Sequence, residues 1–256
     1  MKIALYSDLH LEHKHGWHLP ADFDADVLIL AGDIISFRDF NPLALFLNNW
    51  RKPVLFVAGN HEYYRASISG HNAEFRAWAG EYLPQVHFLN DESISIDGVH
   101  FFGGTMWTDF EGGNEWAMQY AERGMYDFEL IRERGRFTPR QSLELHKAFA
   151  TALDDWFTSV SKGPRVVITH HAPVVYPNTK HVGSPLESAF NCTDMLPIIE
   201  KHQPDVWIYG HTHECGEQVI GKTRIIANQL GYVRPSGSYE CWDRFDKYGC
   251  VVHLCE

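Results

Sequence analysis

Cysteine is scarce in this 256-residue chain, and its spacing follows no pairing pattern. The five residues, Cys192, Cys215, Cys241, Cys250 and Cys255, are odd in number and contain no CxxC. That argues against a disulfide framework and points to reduced thiols in a cytoplasmic protein. A local pair or metal site among Cys241, Cys250 and Cys255 is the alternative. No run of about 18 apolar residues occurs, so no membrane span is expected. The opening Met1–Asp8 reaches an acid too soon to supply a signal-peptide core. Basic residues are also few: 22 Lys and Arg face 33 Asp and Glu, a net charge of -11. Such a balance does not suit a general grip on nucleic-acid phosphates. Neither a Pro/Gly/Ser-rich linker nor a repeat interrupts the chain, so one domain over residues 1–256 is expected.

Histidine, by contrast, is plentiful at 16 residues, several of them just after apolar runs. Val54–Val57 reads as a buried strand and is followed by Gly59-Asn60-His61-Glu62. Lys2–Ser7 delivers Asp8 and His10, which alternation places on one side of an extended chain. Val27–Ala31 delivers Gly32-Asp33, Arg165–Thr169 delivers His170-His171, and Asp205–Tyr209 delivers Gly210-His211-Thr212-His213. The helical patterns at 42–50, 72–83 and 193–202 between these runs predict an α/β fold with a parallel sheet covered on both faces. Short strands are predicted at 86–89, 93–96 and 99–102, with Gly103-Gly104 in a loop. Antiparallel strands are predicted at 218–220, 224–227 and 250–254.

Residues 106–162 differ in character. Helical patterns at 115–124 and 141–160 flank the basic stretch Ile131–Arg136, predicting a helical cap insertion packed beside the sheets. Trp107 could stack on a base, and Arg132 and Arg136 could reach a phosphate or carboxylate. The bland alternative makes the aromatics core and the arginines a solvated face neutralised by Glu129 and Glu133.

Singly, each strand-end residue has an ordinary explanation, such as a capping Asp or a core His. Together, parallel strands would aim Asp8, His10, Asp33, Asn60, His170, His211 and His213 at one rim, where α/β folds bind ligands. Seven N/O donors exceed the needs of one metal and suit two ions of the borderline class, Mn, Fe, Zn, Co or Ni.

Asp8-x-His10, Gly32-Asp33, Gly59-Asn60-His61-Glu62, His170 and Gly210-His211-x-His213 resemble, in order, the five motifs of the calcineurin-like metallophosphoesterase superfamily. The resemblance implies a four-layer α/β/β/α sandwich of two mixed sheets, with a dinuclear metal site at the strand carboxyl ends. It also implies Asp8, His10 and His213 on the first metal, Asn60, His170 and His211 on the second, and Asp33 bridging them. Two divalent ions, with Mn favoured in vitro, would share a bridging hydroxide as nucleophile, and His61 would serve the leaving oxygen. His171 is expected to pack behind His170. Protein phosphatases of the superfamily carry Gly-Asp-x-x-Asp-Arg-Gly, whereas this chain reads Gly32-Asp33-Ile34-Ile35-Ser36-Phe37-Arg38. Asn228-Gln229-Leu230-Gly231-Tyr232 likewise lacks the arginine of Asn-Pro-Arg-Gly-Tyr. The chain therefore looks closer to the small bacterial phosphodiesterase-like branch, acting on a small phosphodiester. A phosphomonoesterase with the same site, or a scaffold without activity, is the alternative.

Overall fold

The computed structural model describes residues 1–256 except 14–16, 161, 176–179, 251 and 255–256. Eleven strands are described: β1 (Lys2–Tyr6), β2 (Val27–Ala31), β3 (Val54–Val57), β4 (Val86–Phe88), β5 (Glu92–Ile96), β6 (Val99–Gly104), β7 (Arg165–Thr169), β8 (Val206–Tyr209), β9 (Gly216–Ile220), β10 (Thr223–Ala227) and β11 (Val252–His253). They form two mixed sheets, ordered β11-β1-β2-β3-β4 and β5-β6-β7-β8-β10-β9.

Side-chain alternation explains why the sheets stack. Ile3, Leu5, Val27, Ile29, Leu55 and Val57 of the first sheet meet Phe101, Val166, Ile168, Val206, Ile208 and Ile226 of the second in one dry layer. Ala4, Tyr6, Leu28, Leu30 and Phe56 point the other way, to a layer containing α1 (Asn41–Phe46) and α2 (Ile68–Tyr82). The helices that follow are α3 (Phe110–Gly113), α4 (Glu115–Gly124), α5 (Asp127–Leu130), α6 (Pro139–Ser159), α7 (Glu187–Phe190) and α8 (Met195–His202). The outer face of the second sheet, with Phe102, Val167 and Trp207, is covered by Phe149, Leu153 and Trp156 of α6 and Met195 and Ile199 of α8. The expected four layers are present, with α6 serving as part of the outermost one.

Several sequence expectations are corrected. The strands that deliver the candidate site belong to two sheets, as the resemblance implies, and not to the single parallel sheet read from the apolar runs. Gly103 and Gly104 extend β6, pairing with Ile168 and Thr169. A Cβ at Gly104 would lie 2.2 Å from Asp91 Oδ1, so this strand end approaches its neighbour as only glycine permits. The tail strands separate: β9 and β10 close the second sheet, with β10 parallel to β8, while β11 runs antiparallel to β1 in the first. The helix predicted at 72–83 starts earlier, at Ile68. Cys192, Cys215, Cys241 and Cys250 are free thiols, and Cys255 lies outside the described residues. No helix among the described residues is long and apolar enough to cross a membrane.

Candidate metal centre

The seven donor residues and His61 all leave strand carboxyl ends at the seam between the sheets. β1, β2 and β3 of the first sheet supply Asp8, His10, Asp33, Asn60 and His61, while β7 and β8 of the second supply His170, His211 and His213. Ligand atoms of Asp8, His10 and His213 lie within 4.8 Å of one another, as do those of Asp33, His170 and His211. Asp33 faces both groups. Its Oδ1 is 3.3 Å from His170 Nε2, and its Oδ2 is 4.0 Å from His10 Nε2. Asn60 Oδ1 lies 3.0 Å from His170 Nε2.

The backbone here adopts conformations that L-residues avoid. Asp8, His10, Asp33, His211 and His213 all have positive φ, between 45° and 70°. Such left-handed residues cost about 1–3 kcal/mol each and persist where surrounding structure enforces them. Part of that enforcement comes from Glu62, fully buried, whose carboxylate accepts the backbone N–H groups of Asp33, Ile34, Ile35 and Gly59 at 2.7–3.0 Å. The last residue of the quoted Gly-Asn-His-Glu motif thus holds the Asp33 loop against the Asn60 loop.

The donor set fits divalent cations. His211 Nε2 is buried without a partner, and His10 Nε2 and His213 Nε2 stand 3.2 Å apart, an arrangement that needs a proton or cation between them. Burial pushes His170 down, but the Asp33 carboxylate outweighs it and raises the imidazole to about 9. His213 is likewise raised to about 9, burial being outweighed by Asp8 and Glu240. His211 is driven well below its ordinary value by burial and by the neighbouring histidines. A cation held by these nitrogens would take the place of any proton on them. Burial and His170 lower His171 to about 3, and its Nδ1 lies 3.2 Å from the Thr105 carbonyl oxygen, so it packs behind the centre as a neutral ring.

His61 is held on both sides. Its Nδ1 lies 3.3 Å from Glu12 Oε1, and its Nε2 lies 2.8 Å from the Tyr232 hydroxyl and 3.9 Å from Asp33 Oδ2. The same Glu12 oxygen is 3.2 Å from His10 Nδ1. Burial alone would raise Glu12, but its bonds to the two rings lower it to about 2, so one carboxylate receives both Nδ1–H groups. This leaves each Nε2 facing inward. Glu12→Ala is expected to cut kcat by about 10–100-fold, the usual cost of removing such a support. A steady-state kcat within twofold of wild type would refute that role.

Beside the donors opens a cleft of about 320 Å³, walled by Met125, Tyr126, Lys180, His181 and Phe190. Phe190 stacks on His211, and His181 on Phe190, with ring centroids 4.7 and 3.6 Å apart. Trp107, Arg132 and Arg136 do not line it. Trp107 is buried against Phe137 and His171, while Arg132 donates to the Glu129 and Ile131 carbonyls and Arg136 to that of Phe128. The extended chain expected through Asp8 and His10 is not found: both have positive φ, and Glu12 follows on a short 3-10 turn, Leu11–His13, so strand alternation does not reach it. Asp127, Lys180 and Glu240 come from distant segments that alternation does not reach either.

Comparison with known proteins agrees with this geometry. The family model for calcineurin-like phosphoesterases matches residues 1–215. An uncharacterized protein of Acanthamoeba polyphaga mimivirus is 26% identical, covering 96% of this chain and 97% of that protein. A UPF0046 protein of Caenorhabditis elegans is 27% identical over 84% of this chain, which spans 64% of its length. Among solved structures, a phosphopantetheinyl hydrolase from Mycobacterium tuberculosis superposes with a TM-score of 0.72 at 18% identity, covering 98% of this chain and 94% of its own. A dimetal phosphatase from Danio rerio superposes with a TM-score of 0.50 at 13% identity, covering 89% of this chain and 86% of its own.

Proposed function

The chain belongs to the calcineurin-like phosphoesterase family, a metal-dependent class of hydrolases, and from that premise we propose a phosphodiesterase working with two divalent cations on a small substrate. Asp8, His10 and His213 would hold one cation, Asn60, His170 and His211 the other, and Asp33 both. Bound there, the cations would supply Lewis acidity and lower the pKa of coordinated water.

The chain's own groups do the rest. His61, with Glu12 on Nδ1, presents Nε2 to the leaving oxygen and holds a proton there, and the Tyr232 hydroxyl marks the neighbouring hydrogen-bonding position. Burial pushes His61 down, but Asp33 and Glu12 outweigh it and keep the ring protonated more readily than an ordinary histidine. The stacked Phe190 and His181 and the exposed Tyr126 offer flat apolar surface to the substrate's organic part.

The observation that favours a diester is the charge of the cleft. Among the described residues that line it, Lys180 alone has a fixed positive charge, and Glu240 pairs with it. A singly charged diester asks less of such a wall than a doubly charged monoester does. The free thiols agree with a reducing, cytoplasmic setting. We would assay the Mn-reconstituted protein on bis(p-nitrophenyl) phosphate beside p-nitrophenyl phosphate, with a chelated control. Chelator-sensitive cleavage faster on the diester is expected, and preference for the monoester would overturn the diester reading. The phosphopantetheinyl hydrolase adds a phosphopantetheinyl ester to the candidates for assay.

A further inference from the structure

The amide of Asn60 has two chemically different ends, and only one can bind a cation. Its oxygen has lone pairs to donate, whereas its planar NH2 has none. The side chain is buried, and its oxygen faces His170. Its Nδ2 donates to Asp127 Oδ1 at 2.8 Å and to the Tyr64 hydroxyl at 3.1 Å. The Tyr64 hydroxyl in turn donates to the same Asp127 oxygen at 2.8 Å. We infer that Asp127, on helix α5, is the positioning residue that orients Asn60 with its oxygen toward the second cation. The inference rests on the two-cation reading above.

An ionised carboxylate only accepts hydrogen bonds. Were the Asn60 amide to turn over, its oxygen would meet Asp127 Oδ1, and its NH2 would take the ligand position. Asp127 is 3% exposed, so its acceptor atoms have little water to fall back on. The backbone keeps α5 in place. Arg65 N–H donates to the Leu130 carbonyl and Arg132 N–H to that of Ala66, at 3.0 and 2.9 Å, and Ser67 and Arg132 form a β-bridge. The segment that follows His61 is therefore zipped to the segment that carries Asp127. Tyr126, the preceding residue, is 67% exposed and lines the cleft. One short stretch thus reaches both the substrate space and the back of a cation ligand.

The test titrates the metal-free full chain with Mn(II) alone, followed by calorimetry and by the magnetic coupling of the bound pair. The wild type is expected to take up two ions. In Asp127→Ala the first should bind as in wild type and the second about 10–100-fold more weakly, the range for lost support of a ligand. Asp127→Asn should recover most of that loss, because its amide oxygen can accept where Oδ1 did. Two ions held by Asp127→Ala at wild-type affinity would overturn the inference and leave the two-cation reading standing. Equal weakening of both ions, or no recovery in Asp127→Asn, would also overturn it. A wild type that binds one ion overturns the two-cation reading and this inference together. Should Asp127→Ala fail to fold, Tyr64→Phe decides: weakening by severalfold, confined to the second ion, is expected, and any other pattern counts against the inference.

Discussion

Asp33→Asn is expected to lose bound metal and, with it, about a thousandfold or more in kcat/KM. Asp33 is the carboxylate common to the two donor groups, with Oδ1 toward His170 and Oδ2 toward His10. An asparagine keeps one neutral oxygen and replaces the other with an NH2 that cannot ligate, so at least one group loses a donor. Negative charge is lost as well, although burial already disfavours it. In the folded chain burial pushes the Asp33 carboxyl up, and His170 and His61 outweigh this, holding it well below its ordinary value. Lewis-acid stabilisation by bound cations is worth several kcal/mol, and each 1.36 kcal/mol is about tenfold in rate, which sets the thousandfold scale. Elemental analysis beside steady-state kinetics checks it. If both ions remained at full occupancy, Asp33 would not be the shared ligand.

The second large effect separates chemistry from metal binding. His61→Ala should keep both ions while kcat falls by about 10²–10⁴-fold, the range for removing a general acid. Neither donor group needs the His61 ring, whose Nδ1 is occupied by Glu12 and whose Nε2 faces Tyr232 and Asp33 Oδ2. The loss should be greatest for esters with poor leaving groups, which need a proton most, and smallest for p-nitrophenolate, which needs little. A uniform loss across leaving groups would mean that His61 stabilises charge on the phosphoryl group instead.

The strand ends were legible because their causes are local. A short β-branched run ending in Gly or a polar residue defines both where a strand stops and what it presents, so β2, β3 and β7 match their predicted bounds. Glu115–Gly124 matches as well, with Asn114 accepting from Trp116 N–H at its start. Long-range facts were hidden. Alternation could show that Val27, Ile29 and Ala31 share a face, but not that the face meets a second sheet instead of helices. Aromatic and basic content drew attention to Trp107, Arg132 and Arg136, yet composition cannot tell a core indole from a stacking platform, nor a carbonyl-bonded guanidinium from a free one. Asp127, Tyr64 and Glu240 became visible only once separate segments were brought together.

The seam between the sheets also sets an order of events during synthesis. Asp8 is made some 200 residues before His211 and His213, and β11, which pairs with β1, follows them. Until then the outer edge of β1 lies open, a row of unpaired backbone groups of the kind that invites association with other chains. Truncated chains ending before His170 would have the first sheet's donor residues without those of the second. Such a chain lacks three of the seven donors, His170, His211 and His213, and the interval before β11 docks is when a nascent copy most needs shielding.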